Sequence, residues 1–181
     1  MPWTRDQIPD QIGRFAIVTG ANSGIGFETA LALASKGAQV GLACRSAERG
    51  RAAVERIRAE HPTAEVSVAP LDLADLDHVA HYAEEVLANR ERLDLLVLNA
   101  GVMVPPASKT AQGFELQLGV NHLGHFALTA RLLPLLEATP EARIVVVSSL
   151  AARQGKIHFD DLHFERRYSP WPAYGQSKLA N

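Results

Sequence analysis

Tyr174 and Lys178 stand four residues apart in the stretch AYGQSKLAN, one helical turn from each other. A tyrosine held beside a lysine suggests a proton-transfer pair: an unperturbed phenol titrates at about 10, and a neighbouring ammonium favours its phenolate. Spacing alone does not separate this from a chance i,i+4 pair on a helix surface. A second feature lies near the other end, where TGANSGIG carries Gly20, Gly24 and Gly26 with Asn22, Ser23 and Ile25 among them. Glycines spaced G-x-x-x-G-x-G let the backbone turn tightly and approach a pyrophosphate set against the start of the following helix. Away from a strand and a helix, the same glycines would make only a tight turn. About 20 residues further on, a carboxylate would bind the ribose hydroxyls of NAD. Cys44 and Arg45 occupy that place. With no acid to repel a 2′-phosphate and a guanidinium able to grip it, NADP(H) is the better fit and NAD(H) the lesser one. The alternative is an Arg45 that merely ends a strand in solvent. Ser46 could add a hydroxyl donor, and Cys44 reads as a small packing residue.

These groups need elements to hold them. FAIVTG reads as a strand, the turn follows, and an Ala-rich helix runs from Gly24 to Lys36, closed by Gly37. QVGLAC with RSAERGRAAVERIRAEH, and EVSVAPLDL with the segment from Asp75 to Arg90, repeat the unit. LDLLVLNAG adds a fourth strand, Gly113 to Ala138 a long helix, and ARIVVVSS a fifth strand. Runs so continuously apolar predict strands buried on both faces of a parallel sheet. The alternation predicts an α/β, Rossmann-like doubly wound sheet. RQGKIHFDDLHFERRYSPWP reads as a loop with at most short helical pieces, leading into a terminal helix with Pro172 in its first turn.

The 181 residues, 47% hydrophobic, fit a single domain spanning 1–181. A net charge of −2 with interspersed signs leaves no footprint for nucleic acid or an acidic membrane surface, so a small-molecule partner is favoured. The single cysteine forms no internal disulfide, MPWTRDQIPDQ lacks the regions of a signal peptide, and no apolar run approaches the roughly 20 residues of a membrane span. The cytoplasm is the simplest compartment.

Taken together, TGANSGIG, the LNAG at 98–101, Asn121 in GVNHLGHF, the VVVSS strand end and Y-G-Q-S-K resemble the short-chain dehydrogenase/reductase family. CRS after the second strand and FDDLHFERRYSPWPAYGQSKLAN are most similar to its retinol-dehydrogenase-like branch. The resemblance implies a catalytic set of Asn121, Ser149, Tyr174 and Lys178, and an NADP(H)-dependent interconversion of an alcohol with a lipophilic aldehyde or ketone. It also implies that Asp72 and Leu73 contact the adenine, and that Asn99, Ala100 and Gly101 line the cofactor. Tyr174 would give the proton, Lys178 would lower its pKa and reach the nicotinamide ribose, Ser149 would hold the carbonyl oxygen, and Asn121 would position a water beside Lys178. Relatives commonly pair through the helices carrying Asn121 and Tyr174, which leaves a homo-oligomer open. Singly, each residue has a plainer reading: a loop-starting serine, a structural asparagine, an asparagine (Asn99) that steadies the sheet.

His158, Asp160, Asp161 and His163 form an H-x-D-D-x-H cluster, and His122 and His125 lie three apart. Metal binding needs ligands converging at about 2 Å, which a polar loop does not guarantee, so no metal is expected. Family members usually run to about 250 residues. The expected fold therefore lacks the C-terminal strands of the complete family fold, and the fifth strand presents an apolar edge. The competing reading is a catalytically inactive nucleotide-binding or interaction module.

Overall fold

A computed structural model describes residues 4–181; Met1, Pro2 and Trp3, which begin the MPWTRDQIPDQ terminus, lie outside the described residues. Five strands, β1 (Phe15–Thr19), β2 (Gln39–Cys44), β3 (Val66–Pro70), β4 (Leu95–Leu98) and β5 (Arg143–Val146), pair in the order β3-β2-β1-β4-β5, every pairing parallel. The helices are α1 (Gly24–Ala34), α2 (Ala47–Glu60), α3 (Leu76–Asn89), a short α4 (Leu116–Leu118), α5 (Gly124–Ala138) and α6 (Pro170–Ala180). The doubly wound arrangement read from the sequence is therefore the observed one.

Strand alternation builds two cores. Phe15 and Ile17 of β1 and Leu96 and Leu98 of β4 pack on α3 and α5 through Val79, Tyr82, Leu128 and Leu132. Ala16, Val18 and Val97 point the other way, with Val40 and Leu42 of β2, onto α1 and α2 through Phe27, Leu31, Val54 and Ile57. Burying a side chain such as Leu128 or Leu132, both 0% exposed, contributes about 1.5–3 kcal/mol. Helix starts follow local chemistry. Ser46 Oγ accepts from Arg49 N at the head of α2, and Asp75 Oδ1 accepts from Asp77 N at the head of α3.

Two sequence expectations need correction. The helix expected from Gly113 starts at Leu116, because Gly113 lies at φ +85° inside a turn closed by Thr110, and the Glu115 carboxylate caps the helix by accepting from Gln117 N and Leu118 N. β5 is not buried on both faces: Ile144, Val145 and Val146 are 42%, 45% and 43% exposed. Its inner edge pairs with β4, while among the described residues no strand pairs with its outer edge, the open apolar edge that the fifth strand was expected to present. No helix among the described residues is long and apolar enough to cross a membrane.

The chain leaves β1 toward β2 and β3 on one side and reaches β4 and β5 on the other. Loops at the carboxyl ends of β1 and β4 therefore diverge and leave a crevice, the place where open α/β sheets bind ligands.

Candidate active site

The crevice is made by three backbone segments in close contact. Gly20 takes φ +67°, and a Cβ there would stand 2.9 Å from Ala100 Cα. A Cβ on Gly26 would meet Asn99 Nδ2 at 2.5 Å and Gly20 O at 2.6 Å. Only glycine admits this packing, which brings the turn after β1 against the loop after β4. Thr19, 0% exposed, fastens the two: its Oγ accepts from Asn99 N and Ala100 N, both at 2.9 Å, and its carbonyl accepts from Asn99 Nδ2 at 2.9 Å. Asn99 thus has the sheet-steadying role as well as a place at the crevice.

A cleft of about 320 Å³ opens here, lined by Gly20, Asn22, Ser23, Arg45, Asp72, Leu73, Asn99, Ala100 and Gly101 among others. Gly24, Ile25 and Gly26 form the first turn of α1 beside it, with Ser23, Gly24 and Ile25 exposed. Arg45 is exposed and has no carboxylate partner among the described residues. Ser46 lies apart from the cleft lining, at the cap of α2. Burial pushes the Cys44 thiol pKa up, in keeping with a packing role. These residues fit a dinucleotide: a glycine cradle, exposed N–H groups at a helix start, and an unpaired guanidinium at the far end.

A second cleft, of about 780 Å³, holds Ser149 and Tyr174 together with Met103, Leu150, Lys156, His158 and Trp171. The Trp171 ring meets Tyr174 edge to face, centroids 6.2 Å apart. Ser149 Oγ accepts from Ala151 N at 3.2 Å, which leaves its hydrogen free to donate into the cleft. Ser148 is turned away, donating to Lys178 O at 2.7 Å. The two clefts meet at the backbone of residues 101–103.

Lys178 and Asn121 lie behind that junction. The Lys178 ammonium, 6.0 Å from the Tyr174 ring centroid, donates to Val147 O at 3.1 Å, and burial pulls its pKa below the usual lysine value. A Cβ on Gly101 would stand 3.1 Å from Asn121 Oδ1 and 3.4 Å from Lys178 Nζ. Asn121 is 0% exposed and its amide is spent on the chain itself: Oδ1 accepts from Val102 N at 2.8 Å, while Nδ2 donates to Val102 O at 3.0 Å and Ser177 Oγ at 2.9 Å. It sits in a π-helical turn, Gly119–Leu123, an irregularity common at functional sites. Gly119 and Gly124 bracket that turn because Thr110 and the Leu73 carbonyl press against them too closely for a Cβ.

Sequence reasoning missed the residues that hold the loop before α6. Gln176, 0% exposed, accepts from His158 N and donates to Leu162 O, both at 2.8 Å. Gln117, also 0% exposed, accepts from Val104 N and donates to Pro170 O and the Tyr168 hydroxyl, which itself donates to Pro105 O. The signal lay in Y-G-Q-S-K, where a glutamine sits on the inward side of the helix between Tyr174 and Lys178. The H-x-D-D-x-H cluster is spent differently: Asp161 accepts from Glu165 N and Arg166 N, and His163 Nδ1 accepts from Glu115 N. Among the described residues no three His, Cys, Asp or Glu side chains converge on one point.

Residues 14–161 match the short chain dehydrogenase family. The chain is 51% identical to human retinol dehydrogenase 12 over 178 residues, covering 98% of this chain and 55% of the relative. It therefore spans about half the length of the curated relatives it matches. An uncharacterized protein from Mycobacterium paratuberculosis, known by crystal structure, superposes with a TM-score of 0.86 at 43% identity, over 99% of this chain and 62% of that one. A short chain dehydrogenase from Shigella flexneri, solved in complex with NADP, superposes with a TM-score of 0.75 at 31% identity, over 94% of this chain and 68% of that one.

Proposed function

The chain belongs to the short chain dehydrogenase family, and on that premise we propose that it carries the site of an NADP(H)-dependent oxidoreductase interconverting a lipophilic aldehyde or ketone with its alcohol. The observation that carries the reading is the shared cleft of Ser149 and Tyr174, adjoining a glycine-lined cleft that ends at Arg45.

Bound NADPH would supply the hydride. Tyr174 gives its hydroxyl proton to the carbonyl oxygen, so that hydride at carbon and proton at oxygen balance as an alcohol. Ser149 donates its free hydroxyl hydrogen to the same oxygen as charge builds there. Lys178 stands near the Tyr174 ring, where a charged ammonium favours the phenolate left behind. Asn121 holds Val102 and Ser177, fixing the loop between the clefts against the helix that carries Tyr174. Met103, Leu150 and Trp171, all largely exposed in the cleft, supply an apolar wall for the substrate. Arg45 selects the 2′-phosphate.

Thermal unfolding with each nucleotide tests the cofactor reading: NADP raises the midpoint more than NAD at equal concentration, and equal shifts would refute the role of Arg45. Incubation with NADPH and a long-chain aldehyde tests the chemistry, the two being consumed in equal amounts. The exposed apolar edge of β5 favours a second reading, a nucleotide-binding module that pairs along that edge. Nucleotide bound with no loss of aldehyde would select it.

A further inference from the structure

His125 is buried, 3% exposed, and takes no part in the chemistry outlined above. Its ring nevertheless bridges the two halves of the site. Nε2 lies 2.8 Å from Thr19 Oγ, and Nδ1 lies 3.1 Å from Asn121 O. The arrangement of protons follows from counting. Thr19 Oγ already accepts from Asn99 N and Ala100 N, which fills both lone pairs, so its own hydrogen must point outward. That hydrogen has two partners in reach, Val97 O at 3.4 Å and His125 Nε2 at 2.8 Å, and the nitrogen is the nearer. Nε2 is therefore an acceptor, the ring carries its proton on Nδ1, and Nδ1–H donates to the Asn121 carbonyl. A doubly protonated ring would aim an N–H at an oxygen with no lone pair left. Lys178 and His122, the charged and titratable groups facing the ring, oppose a second proton as well.

The bonds continue beyond Asn121. Its amide donates to Ser177 Oγ, which donates to Tyr174 O at 2.8 Å. We propose that His125 is a positioning residue, the neutral Nδ1–H link in a buried hydrogen-bonded chain from the nucleotide loop at Asn99 and Ala100, through Thr19 and Asn121, to the backbone of Tyr174. It sets the spacing between the nucleotide and the proton donor, and in that respect it rests on the function proposed above.

Nitrogen-15 NMR of the histidine-labelled full chain reads the tautomer directly. The expected spectrum assigns His125 as neutral with its proton on Nδ1; a proton on Nε2 at neutral pH overturns the proposal. Substitution separates the two arms. H125L loses both and lowers NADPH affinity about fivefold, the effect of one typical hydrogen bond, and lowers kcat as well. H125Q places an amide where Nε2 stood and recovers affinity more than kcat, whereas H125N places one where Nδ1 stood and recovers kcat more than affinity. A ring that only fills space gives the reverse ranking, with leucine tolerated best, and that result also overturns the proposal. Absence of turnover in the unsubstituted chain would count against the oxidoreductase reading alone, since the tautomer and the NADPH affinities still decide the role of His125.

Discussion

Replacing Gly26 with alanine sets two effects of opposite sign against each other. Gly26 lies in the first turn of α1, and helix propensity alone favours alanine by about 1 kcal/mol. The added methyl would stand 2.5 Å from Asn99 Nδ2 and 2.6 Å from Gly20 O, well inside ordinary contact, and neither neighbour can yield freely. Asn99 Nδ2 is held by its 2.9 Å bond to Thr19 O, and Gly20 is backbone at φ +67°. Overpacking of this kind costs about 1–3 kcal/mol, and displacing the Asn99 amide costs about 1 kcal/mol more. The net is destabilisation by about 2 kcal/mol, or roughly 4–8 °C in Tm for a chain of this size. Thermal unfolding by circular dichroism measures it, and an NADPH titration of the same variant shows weaker binding. Gly41 is the control: a Cβ there has Phe15 Cζ as its nearest neighbour at 3.6 Å, an ordinary van der Waals contact, so G41A does not fall below the wild-type Tm. A G26A protein that melts higher than wild type and binds NADPH equally well would refute the packing argument.

Three further outcomes follow from the site. R45A loses about tenfold or more in NADPH affinity, because a charge-assisted bond to phosphate contributes about 1.5–3 kcal/mol, while NADH affinity hardly changes in a parallel titration. Q176L keeps the volume but leaves His158 N and Leu162 O unpaired, so the loop beside the second cleft loosens; KM for the carbonyl rises and Tm falls by an amount matching about 2 kcal/mol. Burial lowers the His125 pKa from 6.5 to about 4, so the unfolded chain takes up a proton that the folded chain refuses in that window. Stability is therefore full above pH 6.5 and falls as pH drops, by about 2 kcal/mol at pH 5; urea titrations of wild type and H125L read this as a slope that the variant lacks.

The fold was legible because its signals are strong and local. The apolar runs of β1, β2 and β4, each followed by a helix, leave few arrangements other than a parallel sheet. β5 was read in the right place and with the wrong burial, since a sequence shows that Ile144–Val146 are apolar and not whether anything covers them. The start of α4 was misplaced because capping by Glu115 needs a turn through Gly113 that periodicity does not reveal. At the candidate site, Ser149 and Tyr174 were named through the family resemblance, and the structure brings them into one cleft. Thr19, His125, Gln117 and Gln176 were not found. Each acts through long-range hydrogen bonds, such as Thr19 to Ala100 or Gln117 to Pro170, whose partners become neighbours only once the sheet has formed.

The central claim is that Tyr174 protonates a carbonyl that receives hydride from NADPH. NADPH deuterated at the transferring position, incubated with the chain and a lipophilic aldehyde, tests it directly by mass spectrometry of the product. The account predicts an alcohol carrying deuterium on the former carbonyl carbon, formed about 10³-fold more slowly by a Y174F variant that still binds NADPH. Equal rates of labelled alcohol from wild type and Y174F would contradict it.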